Sequence, residues 1–275
     1  MRTSDANARS ATADLCAAIC TFNSMRTLPR VIESLKGVAD RVLLIDSGST
    51  DGTVEAARAA GCEVLHRDWQ GMLVQRRRCL EEAASARWIL LLDSDESLEP
   101  SLQRSIHDML AADDPTFDAY AVQRLVHFEG AWLRHTFQPE FRVRLVRGGK
   151  AEVVGSGPEQ GGIHDQLVVP GRVGRLPGVL RHDSWRDLTD FWERSIRYSR
   201  DAARTGERGG RPVDALVRPA LAFLKQYVLR SGWRDGRRGF MLAVMLGIGN
   251  AMKQVELLRR RWADRIERTA DESRL

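Results

Sequence analysis

The sequence has few of the features that mark exported or membrane-spanning proteins. Its four cysteines include no CxxC pair and no histidine at ligand spacing, which argues against disulfide and zinc sites and favours a reducing compartment. Residues 1–13 lack the continuous apolar run of a signal peptide, and we expect them to form a disordered tail of a cytoplasmic protein. The apolar run from Phe240 to Ile248 is shorter than the ~20 residues that a spanning helix needs.

Hydrophobic residues are plentiful, and basic residues are concentrated at one end. The hydrophobic share of 43% in 275 residues is enough for one sizeable core. Residues 204–268 contain 15 Lys and Arg against 6 Asp and Glu, a balance of +9, whereas the whole chain carries +5 and the remainder therefore −4. The basicity belongs to the C-terminal part, which indicates an anionic partner there.

This basic part also contains short apolar and aromatic stretches, a combination typical of a helix docked on anionic lipid. We therefore expect residues 204–275 to form a helical, basic region associated peripherally with the inner face of the cytoplasmic membrane. The side chains expected to enter the lipid interface are Phe240, Met241, Leu242 and Trp262. Nucleic acid is the competing partner, but the stretch contains no recognisable recognition module, so we expect no nucleic acid to bind.

Apolar runs alternate with helix-like stretches through the first half, a pattern typical of βαβ units and a mostly parallel sheet. The predicted strands are 15–20, 41–45, 62–66 and 88–92, and the predicted helices are 27–38, 54–60, 73–84 and 101–110. Further strands are indicated over residues 117–169, and helices beyond residue 186. The predicted fold class is α/β, with one domain over residues 14–203.

The motif Asp93-Ser94-Asp95 follows the apolar strand WILLL. Two carboxylates one residue apart at a strand end can share a divalent cation, a hard ion that prefers oxygen ligands and bridges phosphates. The alternative is a helix cap, in which Asp95 or Ser97 begins the helix that follows. A second polar turn, residues 46–51, joins a strand to a helix and offers backbone N–H groups and hydroxyls to a nucleotide; a plain capped turn would have the same pattern.

Four motifs occur in order after the predicted strands: TFN at 21–23, DSGSTDGT at 46–53, HRDWQG at 66–71 and LLDSDE at 91–96. Together they resemble the family 2 glycosyltransferases, which have the GT-A fold, a Rossmann-like nucleotide-diphospho-sugar transferase architecture. Later segments, including 130–135, 139–147 and 235–240, are similar to the branch of lipopolysaccharide core β-1,4-glucosyltransferases that modify inner-core heptose. The resemblance extends from residue 15 to about residue 258.

The resemblance implies an inverting enzyme that moves a hexose such as glucose from a nucleotide-diphosphate sugar to a membrane-held glycolipid acceptor. Asp95, helped by Asp93, would hold Mg²⁺ or Mn²⁺ against the diphosphate. The residues expected to bind the nucleotide sugar are Thr21, Asn23, Asp46, Ser47, Gly48, Asp51, Gln75 and Asp93.

The predicted general base is less sharply defined. Asp165 is the first choice because it matches the acidic residue of a His-Glu pair in the family, and Glu140 and His164 are the alternatives; His164 is also a possible metal ligand. Arg142 and Arg144 lie two residues apart on a predicted strand and therefore on the same face of it. They are predicted to bind a phosphate of the donor or the acceptor, and the alternative is that both are solvated surface arginines.

Two departures from the family pattern lie near the expected donor site. Ser24 stands where the family usually has an acidic residue, and Arg77 where it often has Asn. The missing acidic residue at position 24 supports one alternative function, a non-catalytic sensor of nucleotide sugars. Transfer to a polyprenyl phosphate, which would use the same nucleotide and metal motifs, and nucleic-acid binding, suggested by the basic C-terminal part, also stay open.

Overall fold

A computed structural model describes residues 14–155, 166–204 and 209–272. The strands are β1 Leu15–Thr21, β2 Arg41–Asp46, β3 Glu63–His66, β4 Trp88–Asp93, β5 Glu96–Leu98, β6 Phe117–Phe128, β7 Ala131–Trp132, β8 Phe141–Arg147, β9 Glu152–Val154, β10 Gln166–Val168 and β11 Arg172–His182. The helices are α1 Leu28–Leu35, α2 Thr53–Ala59, α3 Met72–Glu82, α4 Pro100–Ala112, α5 Leu188–Arg204, α6 Pro212–Leu224 and α7 Gly236–Glu272. Every strand and helix predicted in the first half is present, with small shifts at the ends.

The described strands form one nine-stranded sheet in the order β3-β2-β1-β4-β8-β6-β11-β5, with β7 paired to β6, and a separate β9–β10 pair. β1 is parallel to β2 and β4, and β2 is parallel to β3. β8 is antiparallel to β4 and β6, and β5 is antiparallel to β11. The predicted α/β class is confirmed. The sheet is parallel where helices alternate with strands and antiparallel where residues beyond 96 extend it.

The chain divides into two compact units. The first unit consists of the described residues up to Arg124 together with Phe141–His182, and the second of Leu125–Glu140 together with the described residues from Asp183 onward.

The central strands of the first unit are apolar along their whole length because helices cover both faces of a parallel sheet. Successive residues of β1 alternate between two separate cores: Leu15, Ala17 and Ile19 pack in one, and Cys16 and Ala18 in the other. The parallel register then places the carboxyl ends of three strands side by side, with Thr21 opposite Asp46 and Cys20 opposite Asp93. The polar motifs that follow these strands therefore meet at one edge of the sheet, as predicted.

The second unit is built mainly from α5, α6 and α7. Its core joins residues of β6 and the following loop, such as Phe128 and Leu133, to Phe191 of α5 and Leu242 of α7. Leu242 is fully buried and Met241 packs against the same core. The prediction that these two residues enter a lipid interface is therefore wrong, because this side of α7 faces the protein interior.

By length and composition, one helical stretch among the described residues, Gly232–Ile266, is long and apolar enough to cross a membrane. A third of its most apolar window is buried inside the protein. Core helices of soluble proteins pass the same test, and α7 packs against both α5 and α6.

Gly178 of β11 provides a test of how tightly the first unit is packed. Its φ angle is +104°, and a Cβ atom there would lie 2.5 Å from the backbone nitrogen of Leu102 in α4. Gly37 also has a positive φ, +70°, but a Cβ there would meet open space. Both Ala variants carry a positive-φ penalty of about 1–2 kcal/mol, and Gly178→Ala adds a collision with the helix backbone. We expect Gly178→Ala to lower the melting temperature at least about twice as much as Gly37→Ala. Equal shifts in circular-dichroism melts would contradict this packing.

Candidate functional site

Asp93, at the end of β4, is the centre of a cluster of ion pairs. Its Oδ1 atom accepts a 2.6 Å hydrogen bond from Arg76 of α3, and its Oδ2 atom accepts one of 2.9 Å from Arg144 of β8. Arg144 also donates to the fully buried Glu96 at 2.7 Å. Arg124 of β6 lies 3.1 Å from the same Glu96 oxygen. Three guanidinium groups thus face the carboxylates of Asp93 and Glu96, and the negative charge of Asp95 also acts on Arg144.

The electrostatics of this cluster keep Asp93 and Arg144 ionised. Burial alone would raise the pKa of Asp93, but the positive charges of Arg144 and then Arg76 outweigh burial and lower that pKa. Burial also disfavours the charged form of Arg144, yet Glu96 and Asp93 raise its pKa further above the usual value. Both oxygens of Asp93 are therefore occupied by arginines, which compete with any cation for them.

Asp95 has a different environment from Asp93. β5 pairs with β11 so that Glu96 lies opposite His182, and this register brings His182 Nε2 to 3.6 Å from Asp95 Oδ2. The two atoms are close together and are of the chemical kind that binds a divalent cation. In the part of the chain that the structure describes, no three His, Cys, Asp or Glu side chains form a metal cluster. Among the described residues, the donors at this position are thus one carboxylate and one imidazole.

Glu96 and His182 are not among the site residues predicted from the sequence. Glu96 follows three polar residues and precedes Ser97, so the local sequence gives no signal that its side chain would be buried and paired. His182 lies far from Asp95 along the chain, and only the antiparallel pairing of β5 with β11 brings the two together. No spacing rule within one element could have found that pair.

The turn after β2 is organised by Asp46. This carboxylate is buried and accepts hydrogen bonds from the hydroxyl of Thr21, from the hydroxyl and N–H of Ser49, and from the N–H of Gly48. Burial would raise the pKa of Asp46, but these hydrogen bonds, led by those from Ser49, lower it. Asp46 and Thr21, both predicted to bind the nucleotide sugar, therefore hold the shape of the turn.

The loop after β1 is bound to this turn at several points. Asn23 Oδ1 accepts from Thr50 N at 2.8 Å, and Asp51 Oδ2 accepts from Met25 N at 3.0 Å. Ser24, the departure from the family pattern, donates through its hydroxyl to Ser94 at 2.8 Å. Ser24 thereby connects the first loop to the Asp93–Asp95 turn.

Gln75 of α3 is fully buried below the same turn. Its amide nitrogen donates to Ser47 Oγ at 2.8 Å and to the carbonyl oxygens of Arg67 and Asp68 at 3.0 Å. The structure thus brings together the predicted residues Thr21, Asn23, Asp46, Ser47, Gly48, Asp51, Gln75, Asp93 and Asp95. Arg77, the second departure, donates instead to the carbonyl of Val153 at 3.3 Å.

The remaining predicted residues have other positions. Arg144, predicted to meet phosphate, is bound to Asp93 and Glu96, while Arg142 is half-buried on the same strand. Glu140 belongs to the second unit, where its N–H donates to the side-chain oxygen of Gln138 at 3.2 Å. The other two candidates for the base, His164 and Asp165, lie outside the described residues.

A polar turn follows β2 and an acidic motif follows β4, both at the carboxyl ends of parallel strands. This arrangement is typical of a nucleotide-sugar transferase. The sequence of residues 16–157 matches the family model described as glycosyl transferase family 2. The chain belongs to this family, and it is a glycosyltransferase of the GT-A fold, as the sequence predicted.

The chain is also similar to individual proteins over most of its length. It is 28% identical over 239 residues to a lipopolysaccharide core biosynthesis glycosyltransferase, LpsC, of Rhizobium meliloti, covering 84% of this chain and 86% of the relative. It is 34% identical over 252 residues to an uncharacterized glycosyltransferase of Rickettsia felis, covering 88% and 89%. Among solved structures, residues 1–349 of S. aureus TarS align with a TM-score of 0.44 and 14% identity, covering 92% of each chain.

The ion-pair cluster generates a prediction about stability. Asp93→Asn removes a carboxylate that two buried arginines share, and we expect the free energy of unfolding to fall by about 3 kcal/mol at neutral pH. Because the pKa of Asp93 is lowered in the folded state, its stabilisation is complete above the unfolded pKa of about 3.9 and is lost as pH falls through the folded value. The difference between parent and variant should therefore narrow below about pH 4.

Thermal melts of parent and variant across a pH series would measure this difference. Asp108→Asn, at an exposed position of α4, is the matched control and should change stability little at any pH. A constant gap between parent and Asp93→Asn from pH 7 down to pH 3 would contradict the assignment.

Proposed function

We propose that this glycosyltransferase is an inverting, divalent-metal-dependent enzyme that transfers a hexose from a nucleotide-diphosphate sugar to the lipid-anchored saccharide of the lipopolysaccharide inner core. The observation that carries the donor half of the proposal is the edge of the sheet where Asp95 and His182 lie beside the ion-pair cluster of Asp93, Glu96 and their arginines. The similarity to LpsC over 84% of the chain supports the acceptor half.

The donor would bind across the turns after β1, β2 and β4. A diphosphate carries negative charge, and the guanidinium groups of Arg76, Arg124 and Arg144 balance the three carboxylates at this edge, so a divalent ion would supply the further positive charge that a diphosphate needs. The loops are already bonded to one another, so they need little reorganisation when a nucleotide binds.

Asp95 and His182 would hold the divalent ion, with the remaining ligands supplied by phosphate oxygens. A carboxylate with an imidazole fits Mn²⁺ better than Mg²⁺, because imidazole is a ligand of transition-metal ions. When bound, the ion supplies positive charge that stabilises the departing diphosphate. Asp93, occupied by two arginines, would position the turn that carries Asp95.

Inversion at the anomeric carbon requires one direct displacement. A base removes the proton of the acceptor hydroxyl while that oxygen bonds to the anomeric carbon and the bond to the diphosphate breaks. The family resemblance makes Asp165 our first choice for this base, with Glu140 and His164 as alternatives. We further propose that the enzyme is cytoplasmic and binds peripherally to the inner face of the membrane, where a lipid-anchored acceptor is accessible.

Removing either proposed metal ligand should abolish transfer without unfolding the protein. Asp95→Asn keeps the shape of the side chain but loses the charge that attracts a cation, and His182→Ala removes the second donor. We expect each variant to weaken Mn²⁺ binding, measured by electron paramagnetic resonance with uridine diphosphate as the probe nucleotide, by at least about tenfold. Asp108→Asn should bind Mn²⁺ as the parent does. Parental Mn²⁺ binding and turnover by Asp95→Asn, or full parental activity in excess EDTA, would refute the assignment.

The choice of base has its own test. Asp165→Asn should lower turnover of acceptor by about 10²- to 10⁴-fold, because the acceptor hydroxyl loses its proton acceptor. Binding of the donor, measured by the thermal shift it produces, should change little. If Asp165→Asn retains full transfer and Glu140→Gln does not, Glu140 is the base and the first choice is wrong.

A further inference from the structure

The second unit exposes a continuous apolar stripe along α6 and the π-helical turn Lys225–Leu229 that continues it. Leu216 is 77% exposed and Leu221 57%, values far above those of leucines in a packed helix. The exposed side chains of the stripe are Val213, Leu216, Val217, Ala220, Leu221, Leu224, Val228 and Leu229. A stripe of this size on a helix surface marks an interaction site.

The spacing of these residues shows that they share one face. The six residues of the stripe that lie on α6 recur with spacings of three and four, which places them within a band about 140° wide on the helix. The opposite face packs against α7, where Gly247 approaches the backbone oxygen of Pro219 so closely that a Cβ would lie 3.2 Å from it. The helix is thus fixed to the unit by one side and bare on the other.

The exposed charged residues around the stripe are all basic. Between residues 211 and 240, all of which the structure describes, every exposed residue is apolar or basic. The exposed basic residues there are Arg211, Lys225, Arg234 and Arg237. Of the two acids in this segment, Asp214 is buried between Arg211 and Arg218, and Asp235 accepts backbone hydrogen bonds from residues 134–136.

Aromatic side chains lie at the end of the stripe. Trp233 is 57% exposed and lies four residues after the end of the π-helical turn. Phe240 of α7, half-exposed, contacts Tyr227 with ring centroids 5.5 Å apart. Exposed aromatic residues beside cations are typical of the boundary between lipid headgroups and acyl chains, where one side of a ring is apolar and the other is hydrated.

We propose that this face of α6, with Trp233 and Phe240, is a lipid-docking surface that lies in the plane of a membrane rich in anionic headgroups. The apolar stripe enters the upper acyl region while Lys225, Arg234 and Arg237 bind headgroup phosphates at its border. This proposal rests on the proposed function only in that a lipid-anchored acceptor gives the enzyme a reason to be at a membrane.

A second copy of the chain is a weaker candidate for covering the stripe. Two stripes packed face to face would bring the basic residues of both copies together with no exposed acid within residues 211–240 to balance them. An anionic surface neutralises the same charges. The one-sign charge around the stripe therefore favours lipid over self-association.

The test is co-sedimentation of the full chain with vesicles of phosphatidylcholine alone or mixed with phosphatidylglycerol. The parent should bind the anionic vesicles, and 1 M salt should release most of it because the Debye length falls to ~3 Å. The double variant Leu216→Glu/Leu221→Glu should lose at least about tenfold in vesicle affinity, since it places two negative charges in the stripe. Both positions are exposed, so the variant should melt at the parental temperature.

A matched control replaces two exposed apolar residues by glutamate elsewhere on the same unit. Val255→Glu/Ile266→Glu replaces two exposed apolar residues of α7, 56% and 70% exposed, away from the stripe. We expect this variant to bind anionic vesicles as the parent does. Equal loss of binding in both double variants would overturn the assignment to α6.

Other outcomes also decide between explanations. Parental vesicle binding by Leu216→Glu/Leu221→Glu would overturn the proposal, as would a parental dimer that this variant converts to monomer without any vesicle binding by the parent. Retention of the parent on membranes at 1 M salt and in alkaline carbonate would indicate a spanning helix instead.

Donor hydrolysis by the stripe variant should equal that of the parent. A parent that binds anionic vesicles but transfers no sugar would refute the proposed function while leaving the docking surface standing.

Discussion

Buried charge at the end of β4 constrains the arrangement of the first unit more than any other single interaction. An ion removed from water costs several kcal/mol unless partners replace its hydration, so Asp93, Arg144 and Glu96 are tolerable only together. They come from β4, β8 and β5, and Arg76 adds α3. A slip of one residue in any of these strands would point a charge into an apolar core. The cluster therefore fixes the register of the strands and, with it, the turn that carries Asp95.

The parts of this arrangement that the sequence predicted are those governed by local pattern and general topology. Apolar strands alternating with helices predict a parallel sheet, and the carboxyl ends of such strands must meet at one edge, which explains why the motifs at Thr21, Asp46 and Asp93 were placed together correctly. The pairing of Glu96 with arginines and the approach of His182 to Asp95 depend on antiparallel strands far apart in the chain. Local periodicity contains no information about which distant strands pair.

The residues that the sequence predicted to face lipid illustrate the same limit in the second unit. The continuous apolar run Phe240–Ile248 gave the stronger sequence signal for an interface, yet Leu242 and Met245 are buried in the core. A helix segment that is apolar all round is usually buried, whereas a helix with one apolar face usually turns that face towards the core. The Val213–Leu229 stretch has that one-sided pattern, but which side packs depends on α7, so the sequence alone could not choose between a buried and a bare face.

The family usually has an acidic residue at position 24, and its replacement by Ser24 changes the charge around the proposed metal site. Ser24 donates to Ser94, which lies between Asp93 and Asp95, so an acidic side chain in its place would stand among three carboxylates of residues 93–96. Its absence lowers the negative charge there, and the two oxygens of Asp93 are already held by arginines. One carboxylate and one imidazole bind a divalent cation weakly without further ligands. The diphosphate would therefore have to complete the coordination, so that donor and ion bind together and neither is held firmly alone.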